Sequence, residues 1–122
     1  MRRHGDLMAS DCLFCRIAAG ELGTRFVYQD TDVVAFADLH PQAPTHILVI
    51  PRIHLASLAD SGPDHDLVLG KVLAGVRTVA AQLGLAHAGY RTAINTGAGA
   101  GQSVFHLHAH LLAGRAFAWP PG

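Results

Sequence analysis

The chain has 122 residues, half of them apolar, with nine Lys and Arg set against nine Asp and Glu. That length suits one domain with a real hydrophobic core. Zero net charge, with acids and bases interspersed, argues against the basic surface that a nucleic-acid polymer requires, and no apolar run approaches the roughly 18 residues of a membrane span.

The opening MRRHGDLMAS carries arginines but no apolar stretch, so it does not read as a signal peptide. Residues 1–10 are expected to be a disordered extension, with Met8 as an alternative start, and residues 11–122 a single domain. The expected compartment is the cytoplasm, since two closely spaced cysteines are too few for a disulfide framework. CLFCRIAA (12–19) reads as a short helix, capped by Ser10 or Asp11 and ended by Gly20. TRFVYQ (24–29) and VVAFAD (33–38) are rich in β-branched and aromatic residues and read as strands, with QDTD as the turn between them. HILVIP (46–51) is a third strand, entered through the Pro-rich HPQAPT.

PDHDLVLGKVLAGVRTVAAQLG (63–84) reads as the one long helix. Pro63 suits its first turn, Asp64 and Asp66 suit the dipole there, and Gly84 suits the C-terminal cap. Leu69, Val72, Leu73, Val76, Val79, Ala80 and Leu83 recur at helical spacing and mark a core face. YRTAINT (90–96) is a fourth strand, GAGAGQS (97–103) a flexible Gly-rich loop, and VFHLHAHLL (104–112) the fifth strand. The sum is an α+β fold: a five-stranded antiparallel meander sheet with one long helix and one short N-terminal helix.

The fifth strand carries the chemistry. Alternate strand residues face one side, about 6.6 Å apart. His106, His108 and His110 therefore form one row, and Leu107, Ala109 and Leu111 the opposite, core-facing row. A merely solvent-exposed face would be filled more readily by Thr, Lys or Glu, and three imidazoles are costly to bury without partners. Two readings remain open from the row itself. His-x-His on a strand can place two nitrogens on one metal ion. Alternatively, the row is catalytic, since histidine serves as nucleophile, base and donor near neutral pH. The preceding NTGAGAGQS places small-residue N–H groups at the strand's mouth, where they suit phosphate oxygens.

His106-Leu-His108-Ala-His110-Leu-Leu is similar to the alternating signature of the histidine triad (HIT) superfamily. PQAPTHILVIPRIH, INTGAGAGQSVFHLHAHLLAGR and the terminal WPPG resemble its Hint branch, the purine nucleoside phosphoramidases, so the resemblance spans roughly residues 12 to 122. It implies an enzyme that cleaves the P–N bond of adenosine or guanosine 5′-phosphoramidates, releasing nucleoside monophosphate and amine. His108 would attack the α-phosphorus and carry the nucleotide covalently. His110 would donate to the phosphate or departing group, His46 would support the triad, and Ser103 would donate to the phosphate or bridging atom. Asp38 would accept both ribose hydroxyls, as its two acceptor oxygens suit, with Leu39 packed nearby. Asn95, Gly101, Gln102 and Ser103 would meet the phosphate, and Phe14, Ile17 and Phe36 would line the base pocket.

The resemblance also implies a homodimer with a continuous ten-stranded sheet, WPPG reaching toward the neighbouring subunit's site. Gly70, Ala74 and Gly75 give the long helix a small-residue patch for close approach, either to a partner or to its own sheet. No organic cofactor is implied. Ala109 is smaller than is common in the family, and His40 reads as exposed, with no role. Two alternative functions stand beside the main one: dinucleoside polyphosphate hydrolysis, as in the Fhit branch, and nucleotide binding for regulation with vestigial catalysis.

Cys12-x-x-Cys15 lacks the βαβ setting of a redox pair. Structural zinc needs two further ligands, and His54 and His106 are the candidates. Many bacterial HIT proteins resemble this arrangement, the first triad histidine doubling as ligand. Four protein ligands leave no open position, so such a zinc would be structural. A zinc deaminase would pair its cysteines with His-x-Glu, which does not occur here.

Overall fold

The computed structural model describes residues 11–122; the extension expected over 1–10 lies outside the described residues. Strands β1 (Tyr28–Gln29), β2 (Val33–Ala37), β3 (Thr45–Pro51), β4 (Arg91–Ala93) and β5 (Ala109–Ala113) form one antiparallel sheet in the order β1-β2-β3-β5-β4. The α+β class holds, with the short helix α1 (Leu13–Ala18) and the long helix α2 (Asp66–Gln82). The meander runs through β3. The chain then passes along α2 to the far edge, and β5 returns between β3 and β4. The strand carrying His110 is thus interior, hydrogen-bonded on both sides.

Each turn has a local cause. Asp30 accepts the amides of Asp32 and Val33 through one carboxylate oxygen, both at 2.8 Å, which closes the β1–β2 turn. Both helices end in a left-handed glycine. At Gly20 (φ +79°), its N–H bonds the Ile17 carbonyl and that of Glu21 bonds Arg16. At Gly84 (φ +69°), its N–H bonds Ala81 and that of Leu85 bonds Ala80. This paired pattern satisfies the last carbonyls of a helix. The start of α1 differs from expectation: Cys12, not Ser10 or Asp11, is the cap, its sulfur accepting the Cys15 amide at 3.4 Å.

The two faces of the sheet bury different things. On one, Val72, Val76, Val79 and Ala80 of α2 pack on Val33, Val49, Leu107, Ala109 and Leu111. A Cβ on Gly75 would come 2.9 Å from Val49 and 3.1 Å from Val33, so glycine lets α2 lie flat on the strands. Gly75 therefore serves its own sheet, while Gly70 has nothing within 4 Å. Leu73 and Leu83, expected in the core, are about half exposed. Leu73 lies beside the packed stripe of α2, and Leu83 is the cap residue just past its end. On the other face, Phe14, Ile17 and Ala18 of α1 pack on Val34, Phe36, Leu48 and Ile50.

The expected fifth strand began too early. Regular pairing starts at Ala109, and His106 and His108 lie in the extended lead-in. There the Leu107 amide bonds the Leu55 carbonyl at 2.6 Å, an irregular loop replacing a sheet neighbour. Alternation persists through the break. Leu107, Ala109 and Leu111 still enter the α2-side core, and the histidine row stays with α1.

Candidate active site

A cavity of about 360 Å³ opens on the α1 face of the sheet. Phe14, Ile17, Phe36 and Leu48 line it on the apolar side, and Asp38, Ser103, His108 and His110 on the polar side. The three aromatic and aliphatic residues expected to line a base, Phe14, Ile17 and Phe36, do line it. Phe14 meets the His108 ring edge-on, with centroids 5.2 Å apart, and Phe36 likewise at 5.6 Å. Leu39 stands at the rim, 90% exposed.

The protonation pattern of the histidines follows from main-chain partners whose roles are fixed. His108 Nδ1 lies 2.8 Å from the His106 carbonyl, which can only accept, so Nδ1 carries the proton. Nε2 then keeps its lone pair. The Gln42 amide donates to His46 Nδ1 at 3.0 Å, so His46 holds its proton on Nε2. That Nε2–H lies 2.8 Å from His110 Nδ1 and 3.4 Å from an Asp38 oxygen. His110 therefore accepts through Nδ1 and carries its proton on Nε2, a buried atom with no partner among the described residues. The site offers a bare nitrogen at His108 and an unused donor at His110.

Burial favours the neutral form of His108 and His110. It pulls His108 below the ordinary imidazole value, against the opposing His106 carbonyl and Asp38 charge. His110 falls to about 4, by burial first and then by the neighbouring His108 and His46. A neutral imidazole is the nucleophilic form. Asp38, His46 and His110 also stand close enough to hold a metal ion. The 2.8 Å contact between two ring nitrogens is a hydrogen bond, however, and it satisfies both of them.

The remaining phosphate-loop residues divide. Ser103 lines the cavity. Asn95, Gly101 and Gln102 stand outside that lining, in and beside a turn at Ala98–Ala100 with positive φ at Gly97 and Gly101. The Gln102 side chain is buried and fully engaged. It accepts from the Gly97 amide at 2.9 Å and donates to the Ala56 and Val104 carbonyls at 2.8 and 3.1 Å. Its side chain shapes the loop from behind. Leu13, Thr24 and Val104 line the cavity without having been singled out, as does His40, whose amide also caps Asp38 at 2.8 Å. Polar spacing flags none of these, because apolar lining and main-chain caps leave no mark in residue type.

The second cluster lies behind the first. Ligand atoms of Cys12, Cys15, His54 and His106 all fall within 4.8 Å of one another. His106 Nδ1 is 3.4 Å from both sulfurs, and His54 Nδ1 is 3.3 Å from Cys15. A tetrahedral zinc with ordinary bond lengths would set such S···N edges near about 3.6 Å. His106 also gives its Nε2–H to the Pro51 carbonyl at 2.8 Å, which turns the Nδ1 lone pair toward the sulfurs. Burial first, then Cys12, push the Cys15 thiol up to about 12. A cation reverses that preference, since it binds the thiolate. The donor set fits zinc.

Residues 19–117 match the HIT domain family. A purine nucleoside phosphoramidase of Escherichia coli K12 is 44% identical over 108 residues, covering 88% of this chain and 91% of that protein. An HIT-like protein of Synechococcus elongatus is 50% identical over 115 residues, covering 94% of this chain and all of its own length. Among solved structures, an HIT family hydrolase from Legionella pneumophila superposes with a TM-score of 0.89 at 45% identity, over 92% of this chain and 100% of that one.

Proposed function

Because this chain belongs to the HIT domain family, we propose that it is a hydrolase that cleaves the P–N bond of purine nucleoside 5′-phosphoramidates. One observation carries the reading. The bare Nε2 of His108 and the unpartnered Nε2–H of His110 belong to two rings that line one cavity with a carboxylate at Asp38. The chain's 44% identity to a purine nucleoside phosphoramidase of Escherichia coli supports it.

In this reading the base lies against Phe14, Ile17 and Phe36, and Asp38 accepts the ribose hydroxyls. The His108 Nε2 lone pair forms a bond to the α-phosphorus. The P–N bond to the amine breaks, and the leaving nitrogen takes a proton from solvent through the exposed Ser103 hydroxyl. Positive charge on the nucleotidyl-imidazole is spread to Nδ1–H, which the His106 carbonyl holds. Water then attacks phosphorus and returns a proton to solvent, the P–N bond to His108 breaks, and nucleoside monophosphate leaves. His110 donates to the phosphate oxygens throughout, as a preorganised donor stabilises charge developing there. Asn95, Gly101 and Gln102 shape the phosphate loop.

Zinc on Cys12, Cys15, His54 and His106 would supply structural cross-linking, closing all four positions and leaving none for substrate. No organic cofactor enters. A homodimer accords with the exposed leucines of α2 and the outer edge of β4. Among the described residues no helix is long and apolar enough to cross a membrane; the cytoplasm remains the proposed compartment.

The test is turnover of adenosine 5′-phosphoramidate beside a diadenosine polyphosphate. Preferred release of AMP from the phosphoramidate is the expected result. Preference for the polyphosphate would move the chain to dinucleoside polyphosphate hydrolysis. AMP binding with no turnover of either would make it a nucleotide-binding regulator.

A further inference from the structure

The hydrogen-bond chain behind His110 does not end at His46. The Gln42 amide that fixes the His46 tautomer sits in the loop between β2 and β3. That loop contains no regular pairing of its own, so individual contacts hold the amide in line. Three contacts do so. The Gln42 side chain donates to the His40 carbonyl at 3.0 Å. Pro44 is pressed against Gly114, where a Cβ would come within 2.8 Å of the proline ring. The Arg115 Nε donates to the Gln42 carbonyl at 3.1 Å.

Arg115 is itself braced. Its guanidinium carbon lies 4.3 Å from the Phe117 ring centroid, and a terminal nitrogen donates to the Ala116 carbonyl at 3.1 Å. Arg91, on β4, lies 5.2 Å from the same ring and donates to the Ala118 carbonyl at 2.9 Å. A guanidinium can stack and donate in its own plane at the same time, which an ammonium cannot do.

We propose that Arg115 is a positioning residue for the His46–His110 pair. Its Nε–H holds the Gln42 carbonyl, the Gln42 amide then meets His46 Nδ1, and the tautomer so fixed keeps the His110 Nε2–H aimed at the substrate. Loss of the guanidinium frees the Gln42 amide to drift from His46. His46 then gains access to its other tautomer, with the proton on Nδ1. In that state both facing nitrogens of the His46–His110 contact are acceptors, and the contact breaks. This role rests on the nucleotidyl-hydrolase reading only for its effect on rate.

The experiment compares wild type and Arg115→Ala, 15N-labelled, by long-range imidazole 15N–1H spectra. In wild type, His46 and His110 should each show a pyridine-type Nδ1 and a pyrrole-type Nε2. In Arg115→Ala both should move toward averaged values, while backbone signals of α2 stay in place. Turnover of adenosine 5′-phosphoramidate should fall about tenfold in kcat, with KM within about twofold. Unchanged tautomers at both histidines overturn the assignment, whatever the rate does. So does a shift spread through α2, which would make Arg115 a support of the whole fold. Arg115→Met, which keeps a stem and loses the Nε donor, is read the same way if the alanine variant does not fold. A tautomer shift in a protein whose wild type fails to hydrolyse phosphoramidate supports the positioning role and sinks the substrate.

Discussion

His106 faces two ways: its ring nitrogen lies 3.4 Å from the Cys12 and Cys15 sulfurs, and its carbonyl lies 2.8 Å from His108 Nδ1. One residue therefore joins the cysteine cluster to His108, the proposed nucleophile. In the proposed function the two readings open for the row, metal site and catalytic row, are divided among its members.

Replacing Cys12 or Cys15 by Ser tests that joint. Freshly prepared, reduced wild type should carry about one zinc per chain by metal analysis, and either variant none. The melting temperature should drop in both, because the site ties α1 to the segment before β5. Wild type without metal would remove zinc from the account.

His108→Ala separates attack from binding. The variant should keep AMP affinity near wild type and lose turnover by several orders of magnitude, because the covalent route is gone. Quenched wild-type turnover should yield an acid-labile adduct at His108. Phosphoramidate hydrolysis at the wild-type rate in His108→Ala would falsify the mechanism.

His110 gives stability a pH dependence of known sign. Its folded-state value is lowered from 6.5 to about 4. Below about pH 6.5 the unfolded chain takes up a proton that folded His110 refuses. Stability therefore falls as pH drops through that window, and this residue adds no further loss below about pH 4. Melting curves from pH 7 to pH 4 should show a shallower decline in His110→Gln than in wild type. Equal slopes would mean that the ring titrates normally.

Gly75→Ala should destabilise the fold by about 1–3 kcal/mol, the usual cost of overpacking, because the added methyl meets Val49 and Val33. Denaturant melts check the size, and activity per folded molecule should be unchanged. Ala at Gly70, which has nothing within 4 Å in the single chain, should cost the chain's own fold nothing and add the small helix gain of alanine over glycine.

The dimer is tested on α2. Leu67 and Leu73 are 75% and 52% exposed, an apolar flank that a second copy would cover. Sedimentation at micromolar concentration should find a wild-type dimer and a shift toward monomer in Leu73→Glu. A wild-type monomer would end the proposal.

Residue type and spacing alone determined much of this protein. Period-two alternation separated His106, His108 and His110 from Leu107, Ala109 and Leu111, and that division holds even where regular pairing fails. Such a pattern is legible because each side chain reports directly on the face it occupies. Helix ends at Gly20 and Gly84 were legible for the same local reason, a left-handed position that glycine fills. Only the tertiary structure decided the rest. It put β5 between β3 and β4, exposed Leu73 and Leu83, and turned the Gln102 side chain into a buried strut. It also chose which histidine nitrogen carries each proton. Those choices depend on main-chain carbonyls and amides at His106 and Gln42, groups that every residue carries alike. No residue letter marks them, and long-range packing alone brings them to the rings.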